Sequence, residues 1–396
     1  MIAFAARGHL DLINLATCRI SVLADVSATD VRFSPDGRWL AYSRLVDAGT
    51  VSAGLFVVPA RGGPVRTPLG AGVEGWSWAP DGDRLYGVRR DGSLESASPT
   101  GPRRIVSTGL GGAASSGFFG LPFAVSPDGE RAVVDRSCSS RSVGELDLVD
   151  LRTGARTVIT RPGEPVVFAG FSPDGRWLLF WPDELCSASI AADGMPLEAV
   201  RVSGGKPVTA VKHMLLYPDF LSWCGRRLIA AAGPNRETNT ESELVQTGPP
   251  AWRQRTIRRA GPLSWVSPSC APSGRLLAAA AGPNNAPVGF GQQHRSIWLL
   301  RPDGSPVRRL TSPPARLLSD EAPRFSADGR WVMFVRTRLM FFRTRAGWSG
   351  VSKNTIELAP TSGNGGVVPV IHFTSNDLSY YDHFDWPEEI DFYQPH

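Results

Sequence analysis

The chain has 396 residues, with 42 basic against 37 acidic side chains and a net charge of +5. Only Lys206, Lys212 and Lys353 are lysines, and the arginines are dispersed, which argues against a nucleic-acid surface. No apolar run approaches the roughly 20 residues of a membrane-spanning helix, and Met1–Leu10 lacks the charged start and apolar stretch of an export signal.

In chain order, Leu10–Leu15 reads as a strand, Ala16–Arg19 as a turn and Ile20–Leu23 as the return strand. This is an outer hairpin without an inner one, as expected of a sequence whose own beginning lies upstream. A short phrase then starts to recur. Its copies are Phe33–Leu40, Trp78–Leu85, Val125–Ala132, Phe171–Leu178, Cys270–Leu277 and Phe325–Val332, with a weaker one at Leu221–Leu228. The fullest copies read Phe-Ser-Pro-Asp-Gly-Arg-Trp-Leu, and their Asp-Gly pairs suit a tight hairpin turn. The turn glycines 37, 82, 129, 175, 225, 274 and 329 are spaced by 45, 47, 46, 50, 49 and 55 residues, the interval of a repeat architecture. Second hairpins follow the phrase: Leu55–Val58 turns at Arg61-Gly62-Gly63, Leu146–Val149 at Thr153-Gly154, and Ile297–Leu300 at Asp303-Gly304.

Four short strands per repeat make a small sheet with two apolar faces, which buries them by stacking on its neighbours. The expected fold is all-β: a closed β-propeller of four-stranded blades, the ring closed by N- and C-terminal strands. Seven blades are expected, the outer hairpin at the N terminus completing the inner hairpin Phe325–Arg336. Eight result if Leu339–Leu358 forms its own outer hairpin and Ile2–Ala6 belongs to a separate, truncated blade. The domain organisation expected is a propeller over 1–358 and a tail over 359–396. After Lys353 there is no lysine or arginine but seven acidic residues, among the aromatics Tyr380, Tyr381, Phe384, Trp386, Phe392 and Tyr393. A solvated acidic tail has few aromatics, so this one is expected to dock on the basic propeller or on a partner protein.

The phrase resembles the propeller repeat of TolB-like proteins, which also occurs in the propeller domains of prolyl-oligopeptidase-type peptidases. The resemblance covers the chain from its first hairpin to about Arg336. It implies a propeller that binds other proteins in the cell envelope, periplasmic or secreted, with a cytoplasmic location as the alternative. The chain shows no domain before the propeller of the kind TolB carries.

Residues with catalytic potential are sparse. A hydrolase nucleophile elbow reads Gly-x-Ser-x-Gly; the nearest string, Gly170-Phe171-Ser172-Pro173-Asp174, belongs to a turn. The six histidines lack metal-binding spacing, and no Cys-x-x-Cys occurs. Neither a catalytic residue, a metal nor a cofactor is assigned. The turn residues Asp36, Gly37, Asp81, Gly82, Asp128, Gly129, Asp174, Gly175, Asp328 and Gly329 are read as structural. Cys138 with Cys186, and Cys224 with Cys270, sit at similar places in adjacent repeats. Two inter-blade disulfides or buried free thiols both fit, with Cys18 left over. Arg44, Arg89, Arg136 and Arg336 each follow a turn glycine by seven residues. On one face of a ring they would converge on a carboxylate or phosphate, or they merely end strands in an arginine-rich protein. Asn235 and Asn284 end the corresponding strands of two other repeats, before long polar loops.

Three functions are consistent with this pattern: a non-enzymatic, monomeric propeller with a protein partner; a propeller binding a small anionic ligand or glycan on its arginine face; and a prolyl-oligopeptidase-type propeller domain without its hydrolase. No nucleic acid is expected as a partner.

Overall fold

The computed structural model describes the chain apart from residues 7, 45–53, 90, 111–122, 136–145, 161–165, 183–193, 234–239, 285–293, 316, 345–346, 364, 376–382, 385 and 394–396, and apart from the side chains of 160, 341–349 and 388. The chain opens with β1 (Ile2–Ala6), β2 (His9–Asn14) and β3 (Arg19–Ala24), three strands of blade 1. Blade 2 is β4 (Ala28–Phe33), β5 (Trp39–Arg44) and β6 (Leu55–Pro59), its outer edge reduced to a bridge between Val57 and Arg66. Blade 3 follows as β7 (Val73–Trp78), β8 (Leu85–Arg89), β9 (Leu94–Ala97) and β10 (Arg104–Ser107). Blade 4 is β11 (Phe123–Val125), β12 (Arg131–Asp135), β13 (Leu146–Asp150) and β14 (Arg156–Thr160). Blade 5 is β15 (Val166–Phe171), β16 (Trp177–Pro182), β17 (Met195–Arg201) and β18 (Val208–Met214). Blade 6 is β19 (Leu221–Cys224), β20 (Arg227–Ala232), β21 (Glu243–Thr247) and β22 (Arg255–Arg258). Blade 7 is β23 (Leu263–Cys270), β24 (Leu277–Pro283), β25 (Ser296–Leu300) and β26 (Pro306–Arg309). Blade 8 is β27 (Leu318–Phe325), β28 (Trp331–Thr344), β29 (Gly347–Pro360) and β30 (Val368–Ser375). A last strand, β31 (Ile390–Phe392), returns to pair with β1 and completes blade 1.

The ring therefore has eight blades, not the seven expected. The phrase marks the turn between a blade's first and second strands. Blade 1 takes those two strands, β31 and β1, from opposite chain ends, so no turn joins them and no phrase announces the blade. Phe325–Arg336 did not need the N-terminal hairpin, because Leu339–Leu358 lies within the outer hairpin of blade 8. The boundary at 358 fails for the same reason: residues 359–396 contribute β30 to blade 8 and β31 to blade 1, two strands without the phrase that would have flagged them.

Packing shows why the ring closes. First strands abut those of the neighbouring blades, as β19 on β23, β23 on β27, β7 on β11 and β31 on β4. Fourth strands such as β3, β10 and β26 are largely exposed. The first strands thus surround the axis, and apolar side chains fill each gap between blades. Ala3 and Leu10 share a cluster with Val31 and Leu40, Val57 with Trp76, Val88 with Phe123, and Val133 with Phe168. One continuous core then runs from Leu179 through Leu244 and Trp265 to Phe334. Ile2 and Phe4 close the circle on Met333, Ile356 and Phe373 of blade 8, with Trp386 wedged among them. Burying such side chains contributes about 1.5–3 kcal/mol each.

Each full phrase is locked internally. Ser34, Ser172 and Ser326 donate their hydroxyls to Asp36, Asp174 and Asp328 at 2.6 Å. The same carboxylates accept the N–H groups of Arg38, Arg176 and Arg330 at 3.0–3.2 Å. The turn glycine follows at positive φ, +68° at Gly37, where a side chain would be strained. These aspartates hold turns. No helix among the described residues is long and apolar enough to cross a membrane.

Candidate functional site

Successive antiparallel strands put the phrase turns on one face of the ring and the approaches to the first strands on the other. Five first strands carry bulges, and three of these share one position on that second face, between Thr29 and Arg32, Val266 and Ser269, and Glu321 and Arg324. Asp30, Ser267 and Ala322 sit there at φ +52°, +47° and +49°, each seven residues before its turn glycine. Non-glycine residues in this region cost of order 1–3 kcal/mol, and bulges of this kind re-aim side chains.

One re-aimed group is Ser267, whose Oγ donates to Asp219 Oδ2 at 3.0 Å. Asp219 lies in the short 3-10 turn Pro218–Phe220 that leads into β19. Its other oxygen lies 2.8 Å from Nε2 of His383, in the C-terminal segment. The imidazole stacks on Tyr217 with ring centres 3.7 Å apart and planes 8° apart, and meets the edge of Phe220. Burial alone would raise the Asp219 carboxyl. The charge and hydrogen bond of His383, the Ser267 hydroxyl and the charge of Arg324 outweigh it and hold the group below its ordinary 3.8.

The same segment crosses toward blade 1. Arg324 Nη1 lies 3.9 Å from Asp391 Oδ1, and Asp391 Oδ2 accepts the Phe33 N–H at 2.7 Å. Arg32 Nη1 donates to Pro387 O at 2.6 Å. Groups from blades 6, 7, 8, 1 and 2 are thereby tied through residues 383–391. Chemically this is a latch. A serine-hydrolase relay places the imidazole between hydroxyl and carboxylate, whereas here hydroxyl and imidazole both engage the same carboxylate. Ser267, Asp219 and His383 are 6%, 13% (side chain) and 8% exposed, closed to a substrate as they stand.

The arginines proposed as a ring have separate engagements. Arg336 forms a two-pronged pair with Asp320, at 2.7 and 2.9 Å, and reaches Glu357 at 2.9 Å. Arg89 donates to Leu69 O at 3.0 Å and lies 3.7 Å from Glu95. Arg44 ends β5 exposed to solvent. Asn284 Oδ1 accepts the Glu241 N–H at 2.6 Å, joining blade 7 to blade 6. Arg136, Asn235, Cys138 and Cys186 lie outside the described residues. Cys224 and Cys270 are joined by a disulfide between β19 and β23, and Cys18 is an exposed thiol. No group of three or more histidine, cysteine or acidic side chains suited to a metal occurs among the described residues.

Asp219 and His383 stand 164 residues apart, and neither lies in the phrase. The signal that could have raised Asp219 is Tyr217-Pro218-Asp219-Phe220, an aromatic-flanked carboxylate where a blade is approached. Blade 8 holds another unannounced feature: Arg295 and Glu321, 2% and 5% exposed, pair at 2.8 Å across the gap from blade 7.

No family model matches the chain. A stretch of 155 residues, 39% of this chain, is 28% identical to an uncharacterized peptidase of Bacillus subtilis, YuxL, and spans 21% of that protein. Among solved structures, the dipeptidyl peptidase 4 of Porphyromonas gingivalis aligns over 89% of this chain and 64% of its own, with a TM-score of 0.56 at 9% identity. A prolyl endopeptidase aligns over 88% of this chain and 50% of its own, with a TM-score of 0.54 at 14% identity. What the chain shares with these structures is the fold, a β-propeller, built here on turns that resemble those of TolB-like and prolyl-oligopeptidase-type repeats.

Proposed function

We propose that this chain is a non-enzymatic propeller that binds another protein, at or outside the cell membrane. The observation that carries the reading is the length of β28 and β29. β27 pairs with β28 only as far as Arg338, and β30 pairs with β29 only from Ser352. From Met340↔Val351 to Thr344↔Gly347, five register pairs continue past both neighbours as a two-stranded ribbon. At ~3.3 Å per residue it runs on for roughly 15 Å. A two-stranded ribbon is marginal alone in water, and among the described residues no strand pairs with either edge past Leu339 and Ser352, which leaves both for strand addition. Its sequence includes Met340, Phe341, Phe342, Trp348 and Val351, an apolar content suited to a protein contact. The disulfide between Cys224 and Cys270 supports an oxidising compartment.

The test replaces residues 340–351 by an Asn-Gly turn and compares what each form captures from envelope extract. The shortened chain should melt as the full one does and lose the captured protein. Recovery of the same protein by both forms would sink the reading. A second reading, a propeller domain of a prolyl-oligopeptidase-type peptidase, is favoured by the match to YuxL and by the length of the prolyl endopeptidase left unmatched. Peptide hydrolysis appearing when an α/β-hydrolase domain is supplied with the chain would favour it over the first.

A further inference from the structure

We infer that blade 6 carries, on the phrase-turn face and opposite the latch, a pocket for a small anion bearing two or more phosphate or carboxylate groups. Two turns form a cavity of about 420 Å³. One, between β19 and β20, supplies Arg226 and Arg227; the other, between β21 and β22, supplies Arg253 and Arg255. No acidic residue lines the cavity. All four guanidinium groups are exposed, and none has an ion-pair partner within 4 Å among the described residues. The volume is that of a small-molecule site.

The excess charge has a sequence origin. In blades 2, 3, 4, 5 and 8 the phrase places an aspartate before the turn glycine, where blade 7 has Ser273, and at Asp36 it binds the Arg38 that follows. In blade 6 that position is Cys224, committed to the disulfide, so Gly225-Arg226-Arg227 keeps the arginines without their acid. The outer turn repeats the pattern. In blades 4 and 7 it carries Asp150 and Asp303, whereas Gly248–Gln254 holds no acid. The nearest carboxylates whose charge is felt are Asp174 and Asp303 of the neighbouring blades, and both accept hydrogen bonds within their own turns.

The walls are rigid. Trp252, 3% exposed, packs edge-on against Trp177 and Trp223 at 5.3 and 6.2 Å, and its backbone N–H donates to Gly248 O at 2.8 Å. Thr247, 4% exposed, lines the cavity, and its buried hydroxyl has no hydrogen-bond partner among the described residues. Four planar forks on a fixed frame favour bidentate contact with two oxyanion groups over a single charge.

Calorimetric titration of the full chain tests this, with pyrophosphate for the phosphate source, citrate for the carboxylate source and maltose as the neutral control. Pyrophosphate, citrate or both should bind, with affinity falling as salt rises from about 50 to about 300 mM. The double variant R226Q/R253Q, and independently R227Q/R255Q, should weaken binding by about tenfold or more at unchanged melting temperature. R275Q/R330Q removes equal charge from the phrase turns of blades 7 and 8 and should bind as the parent does. If neither anion binds at about 10 mM, the inference is overturned. Equal weakening by R275Q/R330Q also overturns it, since that would leave only diffuse charge attraction.

Discussion

Blade 1 and blade 6 both depart from the repeat, but blade 1 is cut through by the chain ends, whereas blade 6 is continuous and has lost the carboxylate of its turn. Blade 1 is held by strand pairing: Ile2↔Phe392, Ala3↔Asp391 and Phe4↔Ile390, backed by Phe384 and Trp386 stacked with ring centres 5.2 Å apart. Blade 6 is held covalently to blade 7. A seam between termini is repaired with buried aromatics, and a weakened turn is repaired with a cross-link that frees its arginines. Each repair fails under a different insult.

The largest effect is expected at the seam. Removing residues 376–396 deletes β31 and uncovers the cluster around Ile2 and Phe4, in which Trp386, Phe384 and Ile390 are 1%, 4% and 2% exposed. Each large-to-small loss in a core costs about 2–5 kcal/mol, so the sum rivals the roughly 5–15 kcal/mol stability of a domain. Calorimetry should show the main transition lowered and broadened, with dye binding to exposed apolar surface at room temperature. An unchanged transition would mean that β31 is dispensable to the ring.

Blade 6 should respond to redox instead. The cysteines are 46 residues apart, so C224A/C270A should cost about 4 kcal/mol in urea denaturation, and reductant should destabilise the parent but not the variant. Of similar size is Arg295→Ala, which strands Glu321 in the gap between blades 7 and 8. Removing one partner of a buried pair costs about 3–5 kcal/mol, and the same urea series would detect it.

The part of the fold visible in sequence is the part built from local turns. Seven phrases located seven inner hairpins, because Asp-Gly chemistry acts over four residues. Blade 1 was hidden because its inner hairpin has no turn. The site was less legible still. Arg336 could be placed at the end of a strand, but not opposite Asp320, its cross-strand partner in register. That register is set by a bulge between Glu321 and Arg324, and nothing in the phrase encodes it. The packing of Phe384, Trp386, Phe392 and Tyr393 on the ring follows the expectation from composition, whereas Tyr380 and Tyr381 lie outside the described residues; the partners of His383 were not readable, since the contact depends on closing the whole ring.

A smaller pair of substitutions compares seam and ring at equal local strain. Gly37 and Gly274 occupy the same turn position at φ +68° and +66°. Alanine at Gly274 meets no neighbour and should cost only the left-handed penalty of about 1–2 kcal/mol. Alanine at Gly37 collides with the Tyr393 ring just beyond β31 and should cost ~1–3 kcal/mol more. Tyr393→Ala should remove that excess from the Gly37 variant and leave the Gly274 variant unaffected. Equal melting temperatures for the two glycine variants would place Tyr393 elsewhere.

The smallest effect lies where the two regions meet, at Asp219 before blade 6 and His383 in the segment leading to blade 1. The Asp219 carboxyl is held below its ordinary 3.8 in the folded protein, so the unfolded chain binds a proton more readily there. Its contribution is complete above that ordinary value and drains away as the pH falls through the lower folded one. The parent should therefore lose stability on that acid limb, whereas Asp219→Asn, already without the charge, should start lower and show a shallower limb. A melting-temperature series from neutral to strongly acidic pH separates the two. Coincident limbs would mean that the carboxylate contributes nothing to holding the C-terminal segment, leaving the stack of His383 on Tyr217 as what tethers it.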